Sequence, residues 1–140
     1  MLEQLLLTVL MTSVPLIFAA TGELVAERSG VLNLGVEGMM LMGAVAAFAT
    51  AFGTGNIWLA IIVGGLAGAL TGGVFALFAL GFAKNQVATG LALTIFGTGL
   101  SGLVGAPLVG HAIDGLPQIT IPVLSNLPFV GALLFSLDPM

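Results

Sequence analysis

Asn33 and Glu37 place an amide and a carboxyl in the stretch Gly30-Val31-Leu32-Asn33-Leu34-Gly35-Val36-Glu37-Gly38, whose other residues suit lipid. A charge at membrane depth costs at least about 2.5 kcal/mol on insertion scales, so the carboxyl must face protein, water or a passing solute. Four residues make one helical turn, and on a helix the two side chains share a face. Two uses fit: a structural polar group satisfied inside the protein, or a pair that lines or shapes a translocation path. A second polar set lies further along. Gln86, Gly90, Thr94, Thr98 and Ser101 fall on one helical face, with Asn85 and Thr89 beside its start. Such a face suits hydrogen bonds between helices or contact with a polar solute, and a threonine in a membrane helix commonly bonds its own backbone one turn back. As translocation-path candidates, Asn33, Glu37, Gln86, Thr89, Thr94 and Thr98 form a neutral-polar, weakly acidic set. That set suits a hydroxyl-rich or nitrogen-rich solute better than an anion.

Other chemistry finds little support. His111 is the single histidine, and with Asp114 it supplies too few ligands for zinc. No Ser-His-Asp set and no pair of catalytic carboxylates can be assembled. A phosphate-cradling loop needs Gly-Lys-Ser/Thr at a helix start, whereas Lys84 is followed by Asn85, so ATP hydrolysis by that route is excluded. The chain is therefore expected to bind no cofactor or metal of its own. Glu23 and Glu27, one turn apart beside Arg28, read as a helix end with a local ion pair.

The elements that must position these residues are apolar. Hydrophobic residues make up 59% of the 140, charged residues 6%, and mean hydropathy is +1.24, against roughly 25% charged in soluble domains. Six acids face two bases, Arg28 and Lys84; so few cations exclude a nucleic-acid surface. The absence of cysteine removes disulfides and thiolate metal sites. Crossing the hydrocarbon takes about 20 apolar residues. Four segments qualify: Leu5 to Ala20, containing Pro15 and continuing as helix to Glu27; Val31 to Phe52; Ile57 to Ala83; and Val87 to Gly110. Gly53-Thr54-Gly55-Asn56 is a turn by composition, and Trp58 after it reads as an interfacial anchor. Val130 to Leu137 is the start of a fifth apolar run. The first segment begins with Glu3 rather than a cation and reads as a spanning helix, not a cleaved leader.

The expected fold is an all-α, polytopic membrane helix bundle with four spans, the start of a fifth, and a broken or re-entrant helix at residues 30–38. Asn33 can cap a helix starting at Leu34, and Glu37 in the first turn would sit well with the helix dipole. Alternating spans put Arg28 and Lys84 on one side, the cytoplasmic one by the positive-inside rule. The N-terminus and the stretch from His111 to Phe129 then face outward. There Gln118-Ile119-Thr120-Ile121-Pro122 reads as a short extended piece or a plug over the helix ends. Gly64, Gly68 and Gly72 recur every four residues, with Gly65, Ala69 and Gly73 beside them. This is a helix-packing ridge, used within the chain or as a face between two membrane subunits.

The run Glu27-Arg28-Ser29-Gly30-Val31-Leu32-Asn33-Leu34-Gly35-Val36-Glu37-Gly38-Met39-Met40-Leu41 resembles the signature near the start of permease subunits of bacterial ABC importers. The resemblance is to the branched-chain amino acid/ribose-type superfamily, and closest to its sugar/nucleoside branch. Asn85-Gln86-Val87-Ala88-Thr89-Gly90-Leu91-Ala92-Leu93 is similar to a second segment found there. It implies a multi-pass subunit of the bacterial inner membrane that forms part of the path for a nucleoside or simple sugar. Its partners would be a second permease subunit, cytoplasmic ATPase subunits that hold ATP and Mg, and an extracytoplasmic solute-binding protein. Family members are longer, so residues 1–140 read as the N-terminal part of a single permease domain, apparently truncated. The alternatives are a transporter or channel that needs no ATPase, and a truncated membrane scaffold without transport.

Overall fold

Helices carry nearly all of the described residues, 2–113, of the computed structural model. They are α1 (Leu2–Arg28), α2 (Val36–Thr54), α3 (Ile57–Ala76) and α4 (Gln86–Gly105). A π-helical turn, Leu77–Gly81, extends α3, and a 3-10 turn, Ala106–Leu108, extends α4. All four helices are long and apolar enough to cross a membrane. Phe18–Asp114 form one compact unit; residues 2–17 group outside it and are described as helix only. Pro15 lies inside α1 without ending it. Asp114, the Gln118–Pro122 piece and the Val130–Leu137 run lie outside the described residues.

The element ends follow local chemistry. Gly30, at φ +82°, ends α1: its N–H donates to Glu27 O (2.9 Å) and Val31 N–H to Ala26 O (3.0 Å), a pairing that needs a left-handed residue after the helix. Gly55, at φ +66°, ends α2 in the left-handed region too, its N–H donating to Ala51 O at 2.8 Å. Asn56 opens α3, its Oδ1 accepting from Trp58 and Leu59 N–H, both at 3.1 Å. Asn85 opens α4 by accepting from Ala88 N–H at 3.1 Å. Between them the π-helical turn closes with Phe82 N–H on Leu77 O (2.9 Å).

α2 is the centre of the compact unit, packed on both α3 and α4, which touch each other only lightly. Small residues set these approaches. A Cβ on Gly64 would lie 2.8 Å from Ala47 Cβ and 2.9 Å from Gly43 O, so α2 and α3 meet backbone to backbone. Gly68 and Gly72 continue the ridge against Met39, whereas Gly65 and Gly73 face open space. The ridge thus serves packing within the chain. On the other face of α2, a Cβ on Gly97 would lie 2.6 Å from Gly38 Cα. Phe75, Ala79 and Leu93 form the small core, with Val31 and Met39 against it. The outer surface is apolar: Phe18, Ile95 and Leu103 are 76%, 75% and 73% exposed. A surface of this kind meets lipid or other apolar helices rather than water.

Candidate functional site

The break between the first two spans is the polar centre of the described structure. Residues 30–35 are not helical, and α2 begins only at Val36. The expected span from Val31 is therefore corrected, and so is the shared helical face of Asn33 and Glu37. Asn33 lies in the unwound stretch and is half-buried; Glu37 is exposed in the first turn of α2. The helix starts two residues later than the expected Leu34 because Asn33 Oδ1 accepts from Gly35 N–H at 2.9 Å. That is an Asx turn, which satisfies the backbone locally ahead of the helix. Asn33 Nδ2 reaches Met39 Sδ at 3.6 Å.

Three side chains from two helices bond the backbone of this stretch. Gln86 Oε1, on α4, accepts from Leu32 N–H at 2.7 Å. Thr94, about two turns further along the same face of α4, donates from Oγ1 to Leu34 O at 2.8 Å. Glu23, on α1, accepts at Oε1 from Asn33 N–H at 2.9 Å. Unwound backbone within a membrane protein needs this kind of internal partner, because lipid supplies none. Glycine allows the approach: a Cβ on Gly90 would lie 2.8 Å from Leu34 N and 2.9 Å from Gly35 N.

The path candidates therefore divide. Asn33, Gln86 and Thr94 gather at the break. Thr89 and Thr98 donate to their own helix, to Asn85 O (2.9 Å) and Thr94 O (2.8 Å), leaving only lone pairs for a solute. The Glu37 side chain makes no hydrogen bond among the described residues. Its carboxylate is open, at the positive end of α2. Sequence reasoning missed Glu23. The expected ion pair of the α1 end with Arg28 gives way to the bond with Asn33, and Glu23 Oε2 is buried without a partner. Its spacing from Asn33 offered no signal, since the contact forms only when the chain reverses at Gly30.

His111 packs edge-on against Phe52, ring centroids 4.7 Å apart. No three His, Cys, Asp or Glu side chains gather among the described residues. An apolar cleft of about 500 Å³ opens between the end of α3 and the start of α4, lined by Val74, Phe75, Phe78, Ala92, Leu93 and Phe96 and touching Thr89.

Four helices long and apolar enough to cross a membrane, with a glycine-lined, internally bonded break after the first, define a multi-pass helical membrane protein. The family described as the branched-chain amino acid transport system / permease component matches residues 5–137, and the chain belongs to it. It is 45% identical over 124 residues to the provisionally named glucose ABC transporter permease protein TsgC13 of Haloferax volcanii, covering 86% of this chain and 38% of that one. It is 32% identical over 138 residues to the guanosine ABC transporter permease protein NupQ of Bacillus subtilis, covering 91% and 43%. To the nucleoside ABC transporter permease protein NupC of Lactococcus lactis it is 30% identical over 145 aligned positions, covering 96% and 46%. The chain thus spans less than half the length of these relatives. No solved structure matches it.

Proposed function

We propose that the chain is part of the permease subunit of an ATP-driven importer and forms part of the path for a hydroxyl-rich solute, a simple sugar or a nucleoside. The observation that carries the reading is the break at residues 30–35, held between two spans in a chain whose relatives are named as glucose, guanosine and nucleoside permeases. An unwound stretch between two spans, bonded internally rather than by lipid, can leave polar atoms where a solute meets them. In this reading Glu37 and Asn33 present polar atoms to the solute. Gln86 and Thr94 hold the stretch in shape, and Thr89 and Thr98 offer acceptor lone pairs. The chain itself supplies no energy: cytoplasmic ATPase subunits bind ATP and Mg, a second permease subunit completes the path, and an extracytoplasmic binding protein delivers the solute. The N-terminus lies outside.

Uptake of labelled glucose and guanosine by cells making the full-length permease with its partners tests this. Glu37→Leu, at normal membrane abundance, is expected to lower uptake about tenfold, the loss of one hydrogen bond to a charged group. Unchanged uptake would remove Glu37 from the path. Uptake that persists after deletion of the partner ATPase would overturn the importer reading.

A further inference from the structure

We infer that Glu23 is a positioning residue, a releasable latch that ties the end of α1 to the unwound stretch. The inference rests on the transport reading only for its consequence: the stretch that the latch holds is the one proposed to border the path. Asn33 N–H has lost any helical partner, because the chain turns at Gly30 and does not resume a helix until Val36. Glu23 Oε1 accepts from it at 2.9 Å across ten residues of chain. Gln86 Oε1, on α4, accepts from the neighbouring Leu32 N–H at 2.7 Å. Two adjacent N–H groups are thus held by α1 and α4 in turn, one side chain each.

The two grips differ in chemistry. Gln86 is neutral. Glu23 is an acid whose second oxygen, Oε2, is buried with no donor. The gain from the Oε1 bond is offset by the desolvation of Oε2, so the closed arrangement is shallow on the α1 side. Opening that side lets a water or another donor reach Oε2, which favours release. A neutral amide in the same place removes part of that desolvation while keeping an acceptor for Asn33 N–H. Glu23 therefore holds by accepting a bond, and its charge is what makes the hold reversible.

The chain contains no cysteine, so a single introduced thiol reports alone. Val31 is half-buried against the core beside the latch and serves as the reporter as Val31→Cys. In membranes containing the full chain, a permeant maleimide is expected to modify this thiol about tenfold faster when Glu23→Ala is added, the loss of one net hydrogen bond. With Glu23→Gln the rate is expected to match or fall below that of the parent. Gln86→Ala should also speed modification, whereas Thr50→Ala, whose hydroxyl bonds Ala46 O within α2, should not. Elution of each detergent-extracted variant at the parent position checks folding. An unchanged rate in Glu23→Ala, or a Glu23→Gln rate above that of the parent, overturns the latch; the Glu23→Gln comparison with the parent stands even where Glu23→Ala fails to fold. Labelling requires no solute and no ATPase, so its failure and the failure of the transport reading are separate results.

Discussion

Gly97 and Gly99 sit two residues apart on α4 and meet opposite surroundings. A Cβ on Gly97 would be 2.6 Å from Gly38 Cα and 2.7 Å from Gly38 O, backbone atoms that cannot turn aside. At Gly99 nothing lies within 4 Å. Gly97→Ala should therefore push α2 and α4 apart and cost about 1–3 kcal/mol, the usual range for overpacking. Gly99→Ala should be neutral or stabilise by up to about 1 kcal/mol, through helix propensity. Unfolding of both variants in mixed detergent micelles separates them, and equal stabilities would show that the α2–α4 approach is looser than described. The polar residues follow the same rule of neighbourhood. Thr94 and Thr98 share a face by spacing, yet Thr94 crosses to Leu34 O while Thr98 bonds Thr94 O on its own helix.

α3 and α4 each begin where an asparagine side chain takes up free N–H groups, whereas α2 starts behind Gly35 with no side-chain cap. Asn56 accepts from two, Trp58 and Leu59. Asn56→Ala is expected to destabilise the bundle by about 1 kcal/mol, within the 0.5–2 kcal/mol range of cap losses, and Asn56→Asp should restore most of it. Thermal unfolding in detergent reads the difference; an Asn56→Ala protein as stable as the parent would mean that water or headgroups replace the cap. The third span continues through the π-helical turn to Gly81, two residues short of the expected Ala83, which is left-handed at φ +47°. Neither has a composition signal. Both arise because the chain must turn between Phe75 in the core and Asn85, which opens α4.

At the scale of the whole molecule the two cations mark one end of the bundle. Arg28 ends α1, Lys84 precedes α4, and the Leu32–Gln86 bond brings those two connections together. With an outward N-terminus, Thr54 lies at the outer surface and Ala83 at the cytoplasmic one. Thr54→Cys should react with an impermeant maleimide on intact cells, and Ala83→Cys only after permeabilisation. The reverse pattern would invert the proposed topology.

How much was legible in the sequence follows from the range of each interaction. Apolar length and the polar Asn33 act within a few residues, so the spans and the break could be read directly. The register inside the break could not. Asn33 was read as sharing a helix with Glu37, but local Asx bonding delays α2 to Val36. Glu23 read as a helix-end ion pair because its partner is fixed only when α1 folds back beside the break. The bonds from Gln86 and Thr94 span 54 and 60 residues. Helical spacing names the face a side chain occupies, but only tertiary packing decides which orphaned backbone group lies opposite it.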